Sequence, residues 1–254
     1  MTEKLVSLVP YWLVILVIFF FFRVRQKDLA KDILWASFRT TLQLIFLAFA
    51  LNFIFQNSLL ITSLIVSIIM TINSSLQICS RSKYKLKNLF WNSLFSNTMA
   101  IWPIAFLFSY EQSPNEWSDS KILIPLMGML LGNTLSGASI GIDSFLTSMK
   151  EKKDEVMTLL ALGATPNEST KKVFYRALRQ GISPQINSML SMGIVSIPGM
   201  MTGQLLAKAN VFDASITQVK MMLAICAGTI FTIFLTLKFC QRKMFLPTGE
   251  LCLE

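Results

Sequence analysis

The sequence contains no histidine, and this absence removes several kinds of chemistry at once. Histidine is the commonest transition-metal ligand and the usual proton carrier in acid–base catalysis, so a Ser-His-Asp triad and a histidine metal site are both excluded. The sequence also lacks a GxxxxGK[ST] phosphate-binding loop, so the chain has no ATP site of that type. We therefore expect no catalytic residue, and no cofactor bound by this chain.

Charged residues and cysteines are also scarce. Charged residues make up 15% of the 254 positions, against about 25% in an ordinary soluble domain, while 53% of residues are hydrophobic. The four cysteines show no CxxC spacing, which favours free thiols or small apolar side chains over disulfides or metal ligands; they are Cys79, Cys226, Cys240 and Cys252. This composition predicts an integral membrane protein.

Seven apolar segments follow one another along the chain. The first is interpreted as a retained span because the bulky run Phe19 to Phe22 stands where a signal peptide would need small residues. The segments predict an all-α, polytopic membrane protein with about seven transmembrane helices, forming one permease domain over residues 1–254. They lie at about 5–22, 37–55, 58–79, 89–109, 121–146, 184–207 and 217–238.

Lysine and arginine are concentrated after the first, third, fifth and seventh segments. The other connections are neutral or acidic, as with Glu111, Glu116 and Asp119. The positive-inside rule then predicts an external N-terminus and a cytoplasmic C-terminus. The expected location is the cell (inner) membrane, which the chain crosses several times. The net charge of +9 is thereby interpreted as a topology signal that also suits anionic lipid, and nucleic acid is excluded as a partner.

The connection from Met149 to Ser183 is the longest and has helical patterning of its own. A short amphipathic helix is predicted to end at Gly163, and Thr165-Pro166-Asn167-Glu168 is typical of a capping box that starts a second helix. We name this helix-turn-helix, at about residues 150–182, the elbow. It could adsorb to anionic lipid or dock into a groove on a cytoplasmic partner; the rigid capped corner favours docking.

A few polar residues lie inside the apolar segments. Arg39 and Asp143 are expected at similar depth near the cytoplasmic side, where they could pair, with Gln43 as a further contact, or reach the interface separately. The fifth segment has small residues four apart, at Gly128, Gly132 and Ser136 and at Gly137 and Gly141. This spacing indicates close helix packing, within the chain or between subunits, with Asn133 and Thr134 bonding across it.

The stretch Ile194 to Ala207, IVSIPGMMTGQLLA, breaks the sixth segment with Pro198 and Gly199. A kink at membrane depth is tolerated where it is buried in protein or lines a cavity, so we expect a pathway and gate here. Methionine thioethers suit Cu(I)-like ions, but methionines in apolar helices more commonly only pack, so no metal site is predicted. The candidate gate residues are Asn187, Pro198, Gly199, Met200, Met201, Thr202, Gly203 and Gln204.

Several stretches resemble a known family. EVMTLLALGAT resembles the coupling loop of ABC-transporter permeases. LALGATPNES, INSMLSMGIVSIPGMMTGQLLA, PLMGMLLGNTLSGAS and SFRTTLQL together resemble the FetB (YbbM) permeases of iron export, which are similar to plant permeases of aluminium tolerance. The resemblance implies a homodimer that carries two cytoplasmic ABC ATPase subunits, which use the ATP. It implies ATPase coupling by Glu155, Leu162, Gly163, Ala164, Thr165, Pro166 and Glu168.

The leading hypothesis is thus a non-enzymatic permease subunit of an ABC transporter that exports iron or another metal species. An ion-coupled secondary transporter or channel, with Arg39 and Asp143 as coupling charges, is an alternative, although no inverted repeat of broken helices supports it. A membrane scaffold that anchors a cytoplasmic enzyme through the elbow is a third.

Overall fold

The computed structural model describes residues 7–56, 60–82, 88–112 and 119–245, and this part of the chain is helical without a strand. The all-α prediction is confirmed for it. The helices are α1 (Val9–Arg25), α2 (Lys27–Gln56), α3 (Leu60–Arg81), α4 (Leu89–Gln112), α5 (Ser120–Glu151), α6 (Lys153–Ala161), α7 (Pro166–Ser169), α8 (Lys171–Ser191), α9 (Gly199–Leu206) and α10 (Val211–Lys243).

Four of the described helices, α2, α3, α5 and α10, are long and apolar enough to cross a membrane. They coincide with the predicted second, third, fifth and seventh segments. The first and fourth predicted segments correspond to α1 and α4, and the sixth is divided between α8 and α9. A multi-pass membrane protein is therefore supported, while the count of seven spans and the orientation of the termini stay predictions.

The chain forms two compact units, residues 1–58 and 59–254. In the first unit α1 packs against α2, and a single non-helical residue, Gln26, separates them. The helix α2 begins at Lys27, ten residues before the predicted segment, so the basic residues Lys27 and Lys31 lie within it. Ala30 is the buried residue of this helix.

The second unit is organised around α5, which packs against α3, α4, α8 and α10. Two clusters of buried apolar side chains lie along it. The cluster at the elbow end includes Phe145, Met149, Val156, Phe174 and Leu237. The cluster at the opposite end, which we name the far end, includes Ile101, Leu123, Met127, Leu130 and Met221. The far end also contains the end of α8, α9 and the start of α10.

Glycines bring α5 and α8 into backbone contact. A Cβ atom on Gly181 would lie 2.8 Å from the carbonyl oxygen of Gly137, and one on Gly137 would lie 2.8 Å from the carbonyl oxygen of Gly181. Gly141 lies against Ala177 in the same crossing, so the two helices run antiparallel. This half of the predicted small-residue pattern therefore packs within the chain.

The other half of the pattern is different. Gly132 and Ser136 are exposed on the second unit, and no described atom lies within 4 Å of a Cβ built on Gly132. Asn133 is also exposed, and its Nδ2 donates to the carbonyl oxygen of Met129, 2.8 Å away in the same helix. Within the described chain Asn133 bonds to its own helix, and its predicted bond across to another helix stays a prediction.

A stripe of buried serine and threonine side chains runs along α3. The buried hydroxyls recur every four residues and cross to α4 and α5. Ser63 shares a 2.6 Å hydrogen bond with Ser120, Trp102 Nε1 donates to Thr71 Oγ1 at 3.2 Å, and Asn97 Nδ2 donates to Ser75 Oγ at 3.0 Å. In lipid the hydrophobic effect does not drive helices together, so interhelical hydrogen bonds of this kind help to hold them in contact. The stripe is Ser63, Ser67, Thr71 and Ser75.

Candidate functional site: the elbow and the broken helix

The elbow is a sharp corner between α6 and α8. The helix α6 ends at Ala161, and Gly163 follows with a φ of 90°, a left-handed conformation that glycine adopts without strain. The predicted capping box is present: the Thr165 hydroxyl accepts from Glu168 N, and the Glu168 carboxylate accepts from Thr165 N at 2.8 Å. Pro166 occupies the first position of α7 as predicted.

Apolar side chains are exposed at this corner. Leu162, beside Gly163, is 79% exposed, and Met157, on α6, is 43% exposed. On the other side of α6, Val156 is buried against the elbow-end cluster, as are Val173 and Phe174 of α8. The elbow is thus fixed by one apolar face and presents another at its tip, a surface that suits either a partner groove or lipid.

Charges inside the elbow stabilise it at neutral pH. Glu155 forms ion pairs with Lys152 at 3.0 Å and Lys172 at 3.7 Å, and the hydrogen bond and charge of Lys152 lower the pKa of Glu155. The hydrogen bonds that Glu168 accepts from the hydroxyl and backbone of Thr165 likewise lower its pKa. A lowered folded-state pKa stabilises the fold above the carboxyl's unfolded pKa, and this stabilisation is lost as pH falls through the folded pKa.

The end of α10 is tied to the elbow by directed hydrogen bonds. Gln241 Nε2 donates to Thr170 Oγ1 at 2.5 Å, and this hydroxyl in turn donates to the carbonyl oxygen of Pro166 at 2.7 Å. Lys238 Nζ donates to Asn167 Oδ1 at 2.9 Å and lies 5.9 Å from the centre of the Phe174 ring. A displacement of the elbow therefore reaches α10 directly as well as α8.

The helix break in the sixth segment is larger and earlier than the predicted kink. Helix α8 ends at Ser191, Gly193 has a φ of 80°, and α9 begins only at Gly199 with Pro198 as its N-cap residue. The prediction placed the break at Pro198 because proline lacks an N–H. The physical cause lies at Gly193, whose left-handed backbone turns the chain before the proline is reached; Pro198 only starts the next helix.

The candidate gate residues lie on both sides of this break. Asn187 is exposed on α8, and Thr202 and Gly203 are exposed on α9. No described atom lies within 4 Å of a Cβ built on Gly199 or Gly203, so neither glycine is in close contact with another helix of the described chain. Their role in a pathway stays a prediction.

Two cavities flank α9. The first, of about 490 Å³, is lined by Met189, Met192, Met201, Met222 and Gln218, together with Gly193, Pro198, Ser215, Val219 and Leu223. The second, of about 330 Å³, is lined by Met129, Met200, Met221 and Gln204, together with Phe108, Gln112, Lys121, Ile122, Pro125 and Leu126. Met200, Met201 and Gln204 were anticipated; Gln218 and Met222 were missed, because only the fold brings α10 beside the break.

The predicted intramembrane charges fall in different units. Arg39 and Gln43 are exposed on α2 of the first unit, and Asp143 is half-buried on α5 of the second. Pairing of Arg39 with Asp143 stays a prediction. The described residues contain no group of three or more histidine, cysteine or carboxylate side chains that could hold a metal ion.

The fold and the two sites thus define a helical, multi-pass membrane protein with a capped turn next to its core. The chain belongs to the uncharacterised protein family UPF0014, whose model matches residues 5–245. It is 33% identical over 213 residues to the UPF0014 membrane protein slr1647 of Synechocystis, which is 82% of each chain.

Two other relatives have more informative names. Over 182 residues, 70% of this chain and 68% of the relative, it is 28% identical to the "Probable iron export permease protein FetB" of Escherichia coli. Over 132 residues, 52% of this chain and 48% of the relative, it is 32% identical to the "Protein ALUMINUM SENSITIVE 3" of Arabidopsis thaliana. The family suggested by the sequence motifs is thereby confirmed. No solved structure matches the chain.

Proposed function

We propose that the chain is the membrane-spanning permease subunit of an ABC transporter and exports a metal species with energy from a separate ATPase. The observation that carries the proposal is the elbow: an exposed leucine stands at a corner that a capping box fixes and that hydrogen bonds tie to α10. The export of a metal is supported by the similarity to a relative named as an iron export permease.

The mechanism follows from the connections of the elbow. An ATPase pair that closes on ATP moves the two elbows together. Each elbow continues without interruption into α8, which leads to the break at residues 192–198. The elbow is also bonded to α10, which lies beside that break. Rigid-body motion at the elbow is thereby converted into a rearrangement at the far end, where the pathway changes access.

A homodimer is part of the proposal. An apolar helix that exposes Gly132, Asn133 and Ser136 on one side presents small and polar groups that lipid does not favour. A second copy of the chain, packed there, would cover them. The elbows of the two copies then give the two docking points that a pair of ATPase subunits requires.

The test is co-expression with a candidate ATPase from the same organism, comparing Leu162→Asp with the conservative Leu162→Met. We expect Leu162→Asp to abolish co-purification in detergent and ATP-dependent metal flux in vesicles, because a carboxylate cannot enter an apolar groove. Leu162→Met should retain both. Native mass spectrometry of the intact complex should give two permease chains and two ATPase chains.

Detergent removes the lipid alternative from this comparison. An elbow that only adsorbs to lipid would let Leu162→Asp keep the ATPase in detergent, and that outcome would contradict docking. Equal melting temperatures of the two variants are the control for folding, since Leu162 is exposed and contributes little to the core.

A further inference from the structure

Four methionines from three helices line the first cavity at the far end. Met189 and Met192 come from the end of α8, Met201 from α9 and Met222 from α10. From the sequence no metal site is predicted here, because methionines in apolar helices commonly only pack. The convergence of the four methionines on a cavity of about 490 Å³ changes that expectation, because they do not fill the space between them.

A buried amide lines the same cavity without its full set of partners. Gln218 is only 7% exposed, and its Oε1 has no hydrogen-bond partner among the described residues. Its Nε2 lies 4.0 Å from the Met192 sulfur. A buried carbonyl left unpaired costs about 1–3 kcal/mol, so such an acceptor in a native protein is completed by a water, a ligand or an ion.

The donors that line the cavity select the kind of ligand. The ten lining residues, all within the described range 189–223, include four thioethers, one amide and one hydroxyl, but no carboxylate, thiol or ammonium group. A hard divalent or trivalent cation is normally held by several oxygen ligands that include carboxylates, and this lining supplies no carboxylate. A soft monovalent cation carries one charge and prefers neutral sulfur.

We propose that this cavity binds a soft monovalent cation of the Cu(I) class, held by thioethers of Met192, Met201 and Met222 and by the Gln218 carbonyl. Only the further step, that the bound ion is also the one exported, rests on the permease function proposed above. Binding itself requires neither an ATPase nor transport.

The second cavity is a natural comparison. It too has three methionines, and of its two glutamines Gln204 has a buried Oε1 with no described partner. However, Lys121 lines it, and an ammonium group repels a cation. Met201 and Met222 line the first cavity, whereas their chain neighbours Met200 and Met221 line the second. Substituting one pair or the other therefore changes the lining of one cavity at a time.

The experiment measures Ag(I), a redox-stable soft cation, retained by the full-length chain in detergent against a soluble thioether competitor. Wild type is compared with Met201→Leu/Met222→Leu and with Met200→Leu/Met221→Leu. Leucine nearly conserves volume, so both variants are expected to fold. All three proteins keep the four cysteines, so silver bound by thiols cancels in the comparison.

We expect Met201→Leu/Met222→Leu to bind one Ag(I) fewer per chain than wild type, and Met200→Leu/Met221→Leu to bind as many as wild type. In spectra of protein with ¹³C-labelled methionine methyl groups, Ag(I) should shift the signals of Met192, Met201 and Met222. Equal retention by all three proteins, as for a cavity that takes only apolar molecules, would overturn the proposal. So would equal loss in both variants.

The result separates the two proposals. Loss of Ag(I) in the first variant together with failure of ATPase co-purification would leave the binding site and remove the ABC permease. Unchanged Ag(I) retention with ATPase-dependent flux would leave the permease and remove the site.

Discussion

The elbow end and the far end of the second unit are held together in different ways. At the elbow end, Phe145 and Phe174 pack edge to face in a continuous apolar cluster, and polar groups such as Gln241 and Thr170 are paired. At the far end two cavities flank α9, and the buried carbonyls of Gln204 and Gln218 have no described partner. We therefore expect the elbow end to move as one body and the far end to change its packing.

Energetics explains why the contrast matters for the proposed transport function. An element with few buried contacts and unpaired polar groups rearranges at a smaller free-energy cost than a filled core. The helix α9 contributes no buried residue, whereas α5 contributes buried side chains along most of its length. Motion that enters at the elbow is therefore expected to produce its largest structural change around α9.

The largest expected effect comes from the crossing that connects the two ends. In Gly181→Ala the new methyl group would meet the Gly137 carbonyl oxygen at 2.8 Å, so α5 and α8 must separate. We expect the free energy of unfolding to fall by about 1–3 kcal/mol, as is typical of an overpacked core. Thermal unfolding of the purified chain in detergent measures this, with Gly203→Ala, where no described atom is within 4 Å, as the matched control.

Equal melting temperatures for Gly181→Ala and Gly203→Ala would mean that the crossing is looser than the structure shows. The connection between the ends would then have to run through α10 alone.

An intermediate effect is expected at the elbow itself. Thr165→Ala removes the N-cap hydroxyl of α7 and should destabilise the corner by about 1 kcal/mol, a typical value for a lost cap. Hydrogen exchange of the backbone amides at 162–170 measures the local opening. Ser183→Ala, whose hydroxyl donates only within its own helix, is the control.

The effect of Thr165→Ala should also depend on pH. The Thr165 hydroxyl donates to the Glu168 carboxylate at 2.6 Å, and this bond lowers the carboxyl's pKa. The part of the stability difference between wild type and Thr165→Ala that depends on this charge is therefore present above the unfolded-state pKa of glutamate. It is lost as pH falls through the folded-state pKa of Glu168. A difference in amide protection that does not shrink on acidification would contradict this assignment.

The smallest effect is expected at the far end. Gly203→Ala places a methyl group where no described atom lies within 4 Å, so no clash opposes the better helix propensity of alanine. We expect α9 to be stabilised by about 0.5–1 kcal/mol. Proteolysis between residues 192 and 210 should become slower while the global melting temperature is unchanged; a lower melting temperature would show that Gly203 is tightly packed after all.

Local and tertiary features of this chain differ in how far the sequence predicts them. The elbow was predictable because a capping box involves residues three apart and Gly163 follows directly after an amphipathic helix. The break at 192–198 was placed too late because Pro198 was taken as its cause. Sequence alone does not show which of several glycines adopts a left-handed backbone, and here it is Gly193.

The rest of the site depends on contacts between distant segments. Met222 joins the methionines of α8 and α9 only because α10 returns along the core, and the α3 hydroxyls meet Asn97 and Trp102 only through packing. The four-residue spacing of Ser63, Ser67, Thr71 and Ser75 was the available signal for that stripe. It indicates a polar helix face but does not identify the helix it meets.

Gly181 lies at the midpoint of α8. Gly181 is ten residues from Lys171 at the elbow and ten from Ser191 at the break, or about 15 Å on either side at 1.5 Å per residue. Backbone contact with Gly137 holds this midpoint close to α5. In the transporter proposed above, a helix that pivots there as one body moves its two ends by equal distances in opposite directions, so drawing the two elbows together would draw the methionines of the two copies apart.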